Sequence, residues 1–229
     1  MRLRRSRERR RSGLFVAEGV REVERARAAG LTIVETFVAP ALVDWPHGGE
    51  EVSERVLRKM AYRGEPEGVL AVVEAPQRGL PRDGTLYLVA VGIEKPGNLG
   101  AMARSADAAG ADALLVADAE ADPWNPNAIR ASTGAVFTLP VVDATLDDVR
   151  ALDVQLVAAV VGAETAYTDA DLARPTAIAV GAEDDGLDAR WREAADATVS
   201  IPMGGRAVDS LNAANAATLL LFEAVRQRG

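Results

Sequence analysis

The sequence contains no cysteine and only one histidine, and these shortages exclude several kinds of chemistry. Without cysteine the chain forms no disulfide, offers no thiolate nucleophile and has no ligand for a cysteine-bound zinc or iron–sulfur site. A Ser-His-Asp triad or a histidine-based metal site would need His47, which stands in the loop-forming stretch DWPHGG. We interpret His47 as an ordinary loop residue, so any catalysis must use other side chains.

Long apolar runs are also missing. No stretch is long enough to span a membrane, and no apolar segment follows the arginine-rich N-terminus as it would in a secretory signal. The 229 residues are 48% hydrophobic and 26% charged, which is typical of a soluble globular chain with a substantial core. We expect a cytoplasmic protein.

The charge is unevenly distributed along the chain. The net charge is -8, yet the first eleven residues, MRLRRSRERRR, contain seven arginines against one glutamate. A basic arm on an acidic body indicates contact with the phosphates of a nucleic acid, because counterion release would supply affinity. Charge alone also fits a solvated tail or a helix with charged faces. The candidate RNA contacts in the arm are Arg4, Arg5, Arg9, Arg10 and Arg11.

A linker-like stretch, APQRGLPRDG at 75–84, divides the chain. We expect an N-terminal domain at 1–76, a linker at 77–84 and a second domain at 85–229. The first domain is predicted to run helix, strand, helix, strand, in the segments GVREVERARAAG, LTIVETFVAP, VSERVLRKMAY and GVLAVVEA. This pattern indicates a small α/β unit without catalytic features.

The second domain alternates apolar strands with helices. The predicted strands are TLYLVAVGI, DALLVAD, FTLPVV, VQLVAAVV and TAIAVGAE, and the predicted helices are NLGAMARSADAAGA, NPNAIRASTGA, LDDVRALD and the C-terminal segment. Near-continuous apolar strands separated by helices predict a parallel sheet covered on both faces, so the fold class is α/β. Ligands of such folds bind beyond the carboxyl ends of the strands.

Polar side chains stand at three places along this domain, after two of the strands and before the last helix. Asn98 and Arg104 follow the first strand, Glu183 follows TAIAV, and Ser210 and Asn212 precede the last helix. Taken singly, Asn98 would be a helix cap, Arg104 a solvated side chain, Glu183 an acidic loop residue and Ser210 the cap of the final helix. Asn212 would lie in the first turns of that helix, where asparagine competes with backbone hydrogen bonds.

Two nucleotide-binding motifs can be rejected. The spacing of Gly92 and Gly97 resembles a phosphate-binding loop, but Asn98-Leu99 replaces the required Lys-Ser/Thr pair, which excludes a nucleotide triphosphatase of that class. The sequence also has no G-x-G-x-x-G motif, so a standard dinucleotide site is not expected.

Taken together, the polar segments resemble the three ordered motifs of the SpoU family of RNA ribose methyltransferases, in the SPOUT superfamily. The motif N-x-G-x3-R matches at 98–104, G-x-E-x2-G-L at 181–187, and I-P-M-x-G followed by S-L-N at 201–212. The resemblance covers 85–229 and extends more loosely into the N-terminal domain, which resembles the substrate-binding domain of family members and would, with its basic arm at 1–11, recognise RNA. Two departures are Lys95, where aspartate is more usual, and the AANAA that follows Ser-Leu-Asn.

The resemblance implies a deep C-terminal trefoil knot that binds S-adenosylmethionine and transfers its methyl group to a ribose 2′-hydroxyl of RNA. The implied cofactor-binding residues, largely through their backbone, are Val180, Gly181, Ala182, Glu183, Gly186, Leu187, Ile201, Met203, Gly205, Ser210 and Leu211. The implied catalytic residues are Arg104, Asn98, Glu183, Ser210 and Asn212. No metal is implied.

Arg104 resembles the family's catalytic arginine. Since an arginine does not readily lose its proton, we expect Arg104 to orient the ribose and its phosphate and to stabilise the developing alkoxide. Arg130 is a further candidate RNA contact or a plain surface residue. The resemblance also implies a homodimer through the C-terminal domain, with rRNA a more natural substrate than tRNA. Two alternatives stay open at this point: methylation of a base, and an RNA-binding relative without catalysis.

Overall fold

The computed structural model describes residues 2–62, 64–118, 121–205 and 209–229, which contain two β-sheets. Residues 75–85 connect the two sheets without forming a helix or strand. Within the described segments no helix is both long and apolar enough to cross a membrane.

The N-terminal half is built around a four-stranded sheet of order β1-β4-β2-β3, in which β4 pairs antiparallel with both of its neighbours. Its elements are a short 3-10 helix at Arg2–Arg4, α1 (Ser6–Ser12), β1 (Leu14–Glu18), α2 (Val20–Ala28), β2 (Ile33–Val38), β3 (Glu50–Glu51), α3 (Glu54–Met60) and β4 (Val69–Glu74). The four predicted elements are present as α2, β2, α3 and β4. The prediction missed β1 and the very short β3, while α1 lies in the arm, for which a helix with charged faces was one of the open alternatives.

The C-terminal half is a six-stranded parallel sheet of order β10-β8-β9-β5-β6-β7, as the alternating pattern predicted. Its elements are β5 (Leu86–Val91), α4 (Pro96–Ala108), β6 (Ala113–Ala117), α5 (Pro126–Ala131), a 3-10 helix at Ala135–Phe137, β7 (Val141–Asp143), α6 (Leu146–Arg150), β8 (Gln155–Ala159), β9 (Thr176–Val180), α7 (Ala189–Ala194), β10 (Ala197–Val199) and α8 (Ala213–Arg228). The sequence prediction missed α7 and β10.

The predicted strand FTLPVV is only partly correct. Residues 135–137 form the 3-10 helix that follows Gly134, whose φ is 89°, and the strand begins at Val141. Pro140 has no N–H to donate to a ladder, which is one reason why pairing starts after it. Phe137 instead turns into the core and stacks on Phe15, with the ring centroids 5.7 Å apart.

Both faces of the parallel sheet are covered, because alternate residues of β5 enter two different apolar clusters. Leu88 packs with α4 and α8, represented by Met102 and Leu221. Val89 packs on the opposite face with Trp191 of α7. The first cluster continues into the N-terminal half, so the two sheets share one core.

The final helix differs from its prediction at its cap, and its apolar residues divide between the core and the surface. Asn212, and not Ser210, caps α8, since the Asn212 side chain accepts a hydrogen bond from the N–H of Ala214 at 3.0 Å. The apolar residues of α8 are also not all packed. Leu220 and Leu221 are buried, whereas Leu219, Phe222 and Val225 are 39%, 45% and 37% exposed. The knot implied by the resemblance stays a prediction.

The arginine-rich arm is folded against the rest of the chain. Arg9 is only 3% exposed and Asp122 only 4%, and the Nε and Nη2 atoms of Arg9 each lie 2.7 Å from Oδ2 of Asp122. Ser6 donates to the same carboxylate at 3.1 Å, and the other carboxylate oxygen accepts from the N–H of Trp124 at 2.9 Å. Arg9 is therefore unavailable to RNA, and its assignment as an RNA contact is wrong.

The other arm arginines differ in whether their guanidinium groups have partners within the chain. Arg4 donates to the backbone carbonyls of Lys59 and Ala61, and Arg11 forms an exposed ion pair with Glu8. Arg5 and Arg10 are exposed. Both have guanidinium groups free of partners among the described residues, so they remain the best candidates for phosphate contact in the arm.

We expect Arg9→Met to destabilise the fold strongly. The substitution leaves the Asp122 carboxylate buried without its counter-charge, and breaking a buried pair in this way costs about 3–5 kcal/mol. The matched control Arg10→Met removes an exposed, unpaired charge one residue away and should change stability by no more than about 0.5 kcal/mol. Urea unfolding followed by circular dichroism measures both. Equal midpoints for the two variants would contradict the role of the pair.

Candidate active site

The candidate active site lies beyond the carboxyl ends of the central strands of the parallel sheet. Strand β5 leads through α4 to β6 on one side, while β9 pairs with the other side of β5. The boundary between β5 and β9 is therefore the point where the chain reverses its direction of travel across the sheet. Such points are where open α/β sheets bind their ligands.

Glu183 joins the three sequence motifs. Asn98 donates from Nδ2 to Oε1 of Glu183 at 3.1 Å, and Asn212 donates to the same oxygen and to Oδ1 of Asn98, the latter at 3.1 Å. Lys95 forms an ion pair with the other oxygen, Oε2. Residues 85 and 114 positions apart in the sequence are thus held in one hydrogen-bonded cluster.

The surroundings favour the charged form of this carboxylate. The hydrogen bond from Lys95, followed by that from Asn98, holds the pKa of Glu183 below its usual range, and Glu183 in turn raises the pKa of Lys95. Asn98 belongs to the first turn of α4 and Asn212 caps α8, so the carboxylate also lies at two helix N-termini, where negative charge is stabilised. The unusual Lys95 therefore has a partner in the site.

The loop after β9 folds back tightly on itself. Residues Ala182 and Gly186 form an isolated bridge, and Gly186 has a φ of 65°. A Cβ on Gly181 would lie 2.2 Å from the carbonyl carbon of Gly186 and 2.5 Å from the nitrogen of Leu187. Since backbone cannot yield as a flexible side chain does, position 181 admits only glycine if the loop is to keep this shape.

This loop forms one wall of a cleft of about 390 Å³. The predicted cofactor-binding residues that line the cleft are Val180, Gly181, Ala182, Glu183, Gly186, Leu187, Ile201, Met203, Ser210 and Leu211. Gly205 is not among the lining residues. The remaining lining residues, which the sequence analysis did not single out, are Ala159, Val160, Val161, Asp184, Asp185, Arg192, Val199, Asp209, Ala213 and Ala216. The sequence could have predicted Val160 and Val161, which follow β8, because β8 runs parallel to β9 and ends at the same edge of the sheet.

Arg104 does not line this cleft. It lies on the third turn of α4 and lines a second depression with Arg25 and Thr138. Six residues separate it from Asn98, which corresponds to about 9 Å along the helix axis and a different face of the helix. Glu183 and Ser210 therefore line the first cleft, Asn98 and Asn212 are joined to it through their hydrogen bonds to Glu183, and Arg104 lies apart from them.

Arg130 stands on the surface. It is exposed at the end of α5 and donates to Oδ1 of Asn127 at 3.2 Å, which leaves most of its hydrogen-bonding capacity free.

Comparison with known families gives two matches that together cover most of the chain. Residues 85–222 match the model of the SpoU rRNA Methylase family, and residues 1–71 match the MRM3-like substrate binding domain.

Individual relatives agree with these matches. The chain is 41% identical over 188 residues to the 23S rRNA (uridine(2479)-2'-O)-methyltransferase of Streptomyces viridochromogenes. The aligned region covers 76% of this chain and 65% of that protein. It is 30% identical over 224 residues to the 23S rRNA (guanosine(2553)-2'-O)-methyltransferase RlmP of Bacillus subtilis, covering 94% and 90% of the two chains.

Solved structures extend the similarity to the whole fold. One is described as an RNA 2'-O ribose methyltransferase, with a TM-score of 0.86 at 44% identity over 99% of this chain and 93% of that one. Another is the SpoU methyltransferase AviRb from Streptomyces viridochromogenes in complex with AdoMet, with a TM-score of 0.87 at 34% identity over 99% and 94%.

We expect Gly181→Ala to weaken binding of S-adenosylmethionine, the cofactor that the sequence resemblance implies, by at least about tenfold, or about 1.4 kcal/mol. The added Cβ must displace the backbone of residues 186–187, which forms part of the cleft wall. The matched control is Gly204→Ala, because a Cβ there meets nothing within 4 Å. Isothermal titration calorimetry measures both. A wild-type affinity in Gly181→Ala would exclude this cleft as the cofactor site.

Proposed function

The chain belongs to the SpoU rRNA methylase family, and we propose that it transfers a methyl group from S-adenosylmethionine to a ribose 2′-hydroxyl of RNA. The observation that carries this proposal is the cluster of Asn98, Glu183 and Asn212 beside a cleft formed by the second and third motifs. The proposal therefore depends on the hydrogen-bonded cluster and the cleft forming one site.

The residues of the cleft fit the proposed cofactor. Its walls combine apolar side chains, such as Val160, Ile201 and Leu211, with the exposed backbone of the glycine-containing loop, which suits an adenosine group. Carboxylates of Glu183, Asp184, Asp185 and Asp209 also line it and suit a cationic sulfonium. When bound, the cofactor supplies an electrophilic methyl group.

The protein's task is then to position and activate a hydroxyl that is almost un-ionised at neutral pH. We assign Arg104 to the ribose and its adjacent phosphate, where a permanent cation stabilises the developing alkoxide. Asn98, Glu183, Ser210 and Asn212 position the reacting groups, and holding them in line supplies a large part of the rate.

The proposed substrate is rRNA. Relatives that cover most of this chain are named as 23S rRNA methyltransferases, and the N-terminal half matches a substrate-binding domain. Exposed arginines on that half, Arg5 and Arg10, together with Arg4, Arg11 and Arg130, are the proposed phosphate contacts. Such a substrate accords with the cytoplasmic location expected from the sequence, which stays a prediction.

A second copy of the chain is proposed to complete each site. Leu219, Phe222 and Val225 form an exposed apolar stripe on α8. The helix that carries Arg104 packs against α8, because the hydroxyl of Ser105 lies 2.7 Å from that of Thr218, the residue before Leu219. A copy docked on the stripe would therefore lie close to Arg104. This arrangement resolves the separation of Arg104 from the cleft of its own chain.

The product of the reaction tests the function directly. The purified protein, S-adenosylmethionine and total rRNA from cells lacking the gene should give RNA in which ribose-resolved mass spectrometry finds the new methyl on a 2′-oxygen. Arg104→Ala should slow the transfer by about 100- to 1000-fold. A methyl on a base would exclude the proposed reaction. Binding of RNA and cofactor without any transfer would favour the non-catalytic alternative.

Sharing of sites between copies has its own test. Assayed at a cofactor concentration well below the wild-type Kd, Arg104→Ala and Gly181→Ala should each lose about nine-tenths or more of the activity alone, but co-expressed they should regain about a quarter of wild-type activity, because half of randomly paired dimers are mixed and each mixed dimer has one intact site. Light scattering confirms the dimer. In the control, a chain carrying both changes is co-expressed with the wild type; shared sites should leave about a quarter of the activity, whereas sites confined to one chain should leave about a half. No activity above the separate variants would show that Arg104 serves the cleft of its own chain.

A further inference from the structure

The second depression lies between the two halves of the chain. It has a volume of about 450 Å³, which is within the usual range of ligand sites. Helix α2 of the N-terminal half forms one wall and helix α4 of the C-terminal half the other, and the turn at 133–135 forms the end between them. We call this depression the interdomain groove.

A specialised turn holds Arg25 at the edge of the groove. The Nη1 atom of Arg25 donates to the carbonyl of Thr133. Thr133 has a φ of 50°, which a β-branched residue rarely adopts, and Gly134 has a φ of 89°. A Cβ on Gly134 would lie 2.8 Å from Cδ of Arg25. Glycine at this position therefore leaves the space that the arginine side chain occupies.

The groove carries an unbalanced positive charge. Arg25 and Arg104 both line it, and Arg104 has neither a hydrogen bond nor an ion pair to any residue in the described parts of the chain. The one carboxylate among the described lining residues is Asp107, which lies 3.4 Å from the hydroxyl of Thr138. Two arginines without acidic partners suit an anion with several acceptor oxygens.

We propose that the interdomain groove holds the RNA backbone beside the target nucleotide, with a phosphate between Arg25 and Arg104. This proposal rests on the proposed function, because it starts from Arg104 acting on the ribose. It makes Arg25 an RNA-positioning residue contributed by the N-terminal half. Because the two halves share a core, their relative position is fixed, and this position sets the distance between the guanidinium groups of Arg25 and Arg104.

The test uses a short fluorescein-labelled single-stranded RNA whose sequence is taken from the methylated site, or from any rRNA loop until that site is known. Fluorescence anisotropy gives its affinity for the full-length protein between about 50 and 200 mM salt. Arg25→Gln should weaken binding several-fold and reduce the slope of log K against log salt by about 0.7, the value expected for one lost phosphate contact on a single strand. Cofactor affinity should not change.

Two further variants separate this contact from general effects. Arg27→Gln removes another exposed charge from the same helix, outside the groove lining, and should leave the slope unchanged. Gly134→Ala keeps every charge but displaces Arg25, so it should weaken RNA binding with the cofactor affinity retained. Cofactor titration of each variant confirms that the fold is intact.

The outcomes are distinguishable. An unchanged slope in Arg25→Gln, or equal losses in Arg25→Gln and Arg27→Gln, would overturn the groove as the RNA path. A wild-type protein that binds an acidic peptide but no RNA would also overturn it. A wild-type protein that binds RNA through Arg25 but never methylates it would overturn the proposed function while leaving the groove in place.

Discussion

The candidate site depends on one carboxylate. Glu183 accepts hydrogen bonds from Asn98 and Asn212 and pairs with Lys95, so it connects the turn after β5 with the start of α8. Each of these groups alone would be a mobile polar side chain on a loop or helix end. Joined to one anion at the N-termini of two helices, they keep a fixed arrangement. Because Glu183 follows β9 directly, the same contacts also fix the loop that forms the cleft wall.

A second constraint sets the relation between the two halves. The buried pair of Arg9 and Asp122 joins a helix of the N-terminal half to the segment before α5, and Phe15 stacks on Trp124 beside it at 4.9 Å. A buried ion pair is weak evidence of net stabilisation, since desolvation offsets the attraction. Its directional hydrogen bonds instead favour one docking geometry over others. The width of the interdomain groove, and hence the spacing of Arg25 and Arg104, follows from that geometry.

The sequence predicted what depends on local pattern and on recognisable motifs. The parallel sheet followed from apolar strands alternating with helices, and the resemblance predicted half of the residues that line the cleft, among them Gly181, Ile201 and Leu211. The burial of Arg9 was not predictable, because its partner lies 113 positions away and nothing in an arginine-rich run marks one member as internal. Helix α1 was only one of several open alternatives for the arm, because the arm lacks the apolar periodicity by which helices are recognised. The exposure of Phe222 was likewise invisible, because apolar residues look alike in sequence whether they face a core or a surface.

The separation of Arg104 from the cleft carries the largest mechanistic consequence. A methyl transfer needs donor, hydroxyl and stabilising cation within a few ångströms, yet Arg104 faces the interdomain groove while the cleft lies beyond the start of the same helix. In the proposed dimer this separation becomes useful. RNA bound in the groove of one copy would approach Arg104 of that copy and the cleft of its partner together. The N-terminal half would then select the RNA for a reaction completed across the interface, and neither copy alone would hold a full set of reacting groups. Under this arrangement the unpaired Arg104 and the exposed apolar stripe on α8 are explained by the same interface.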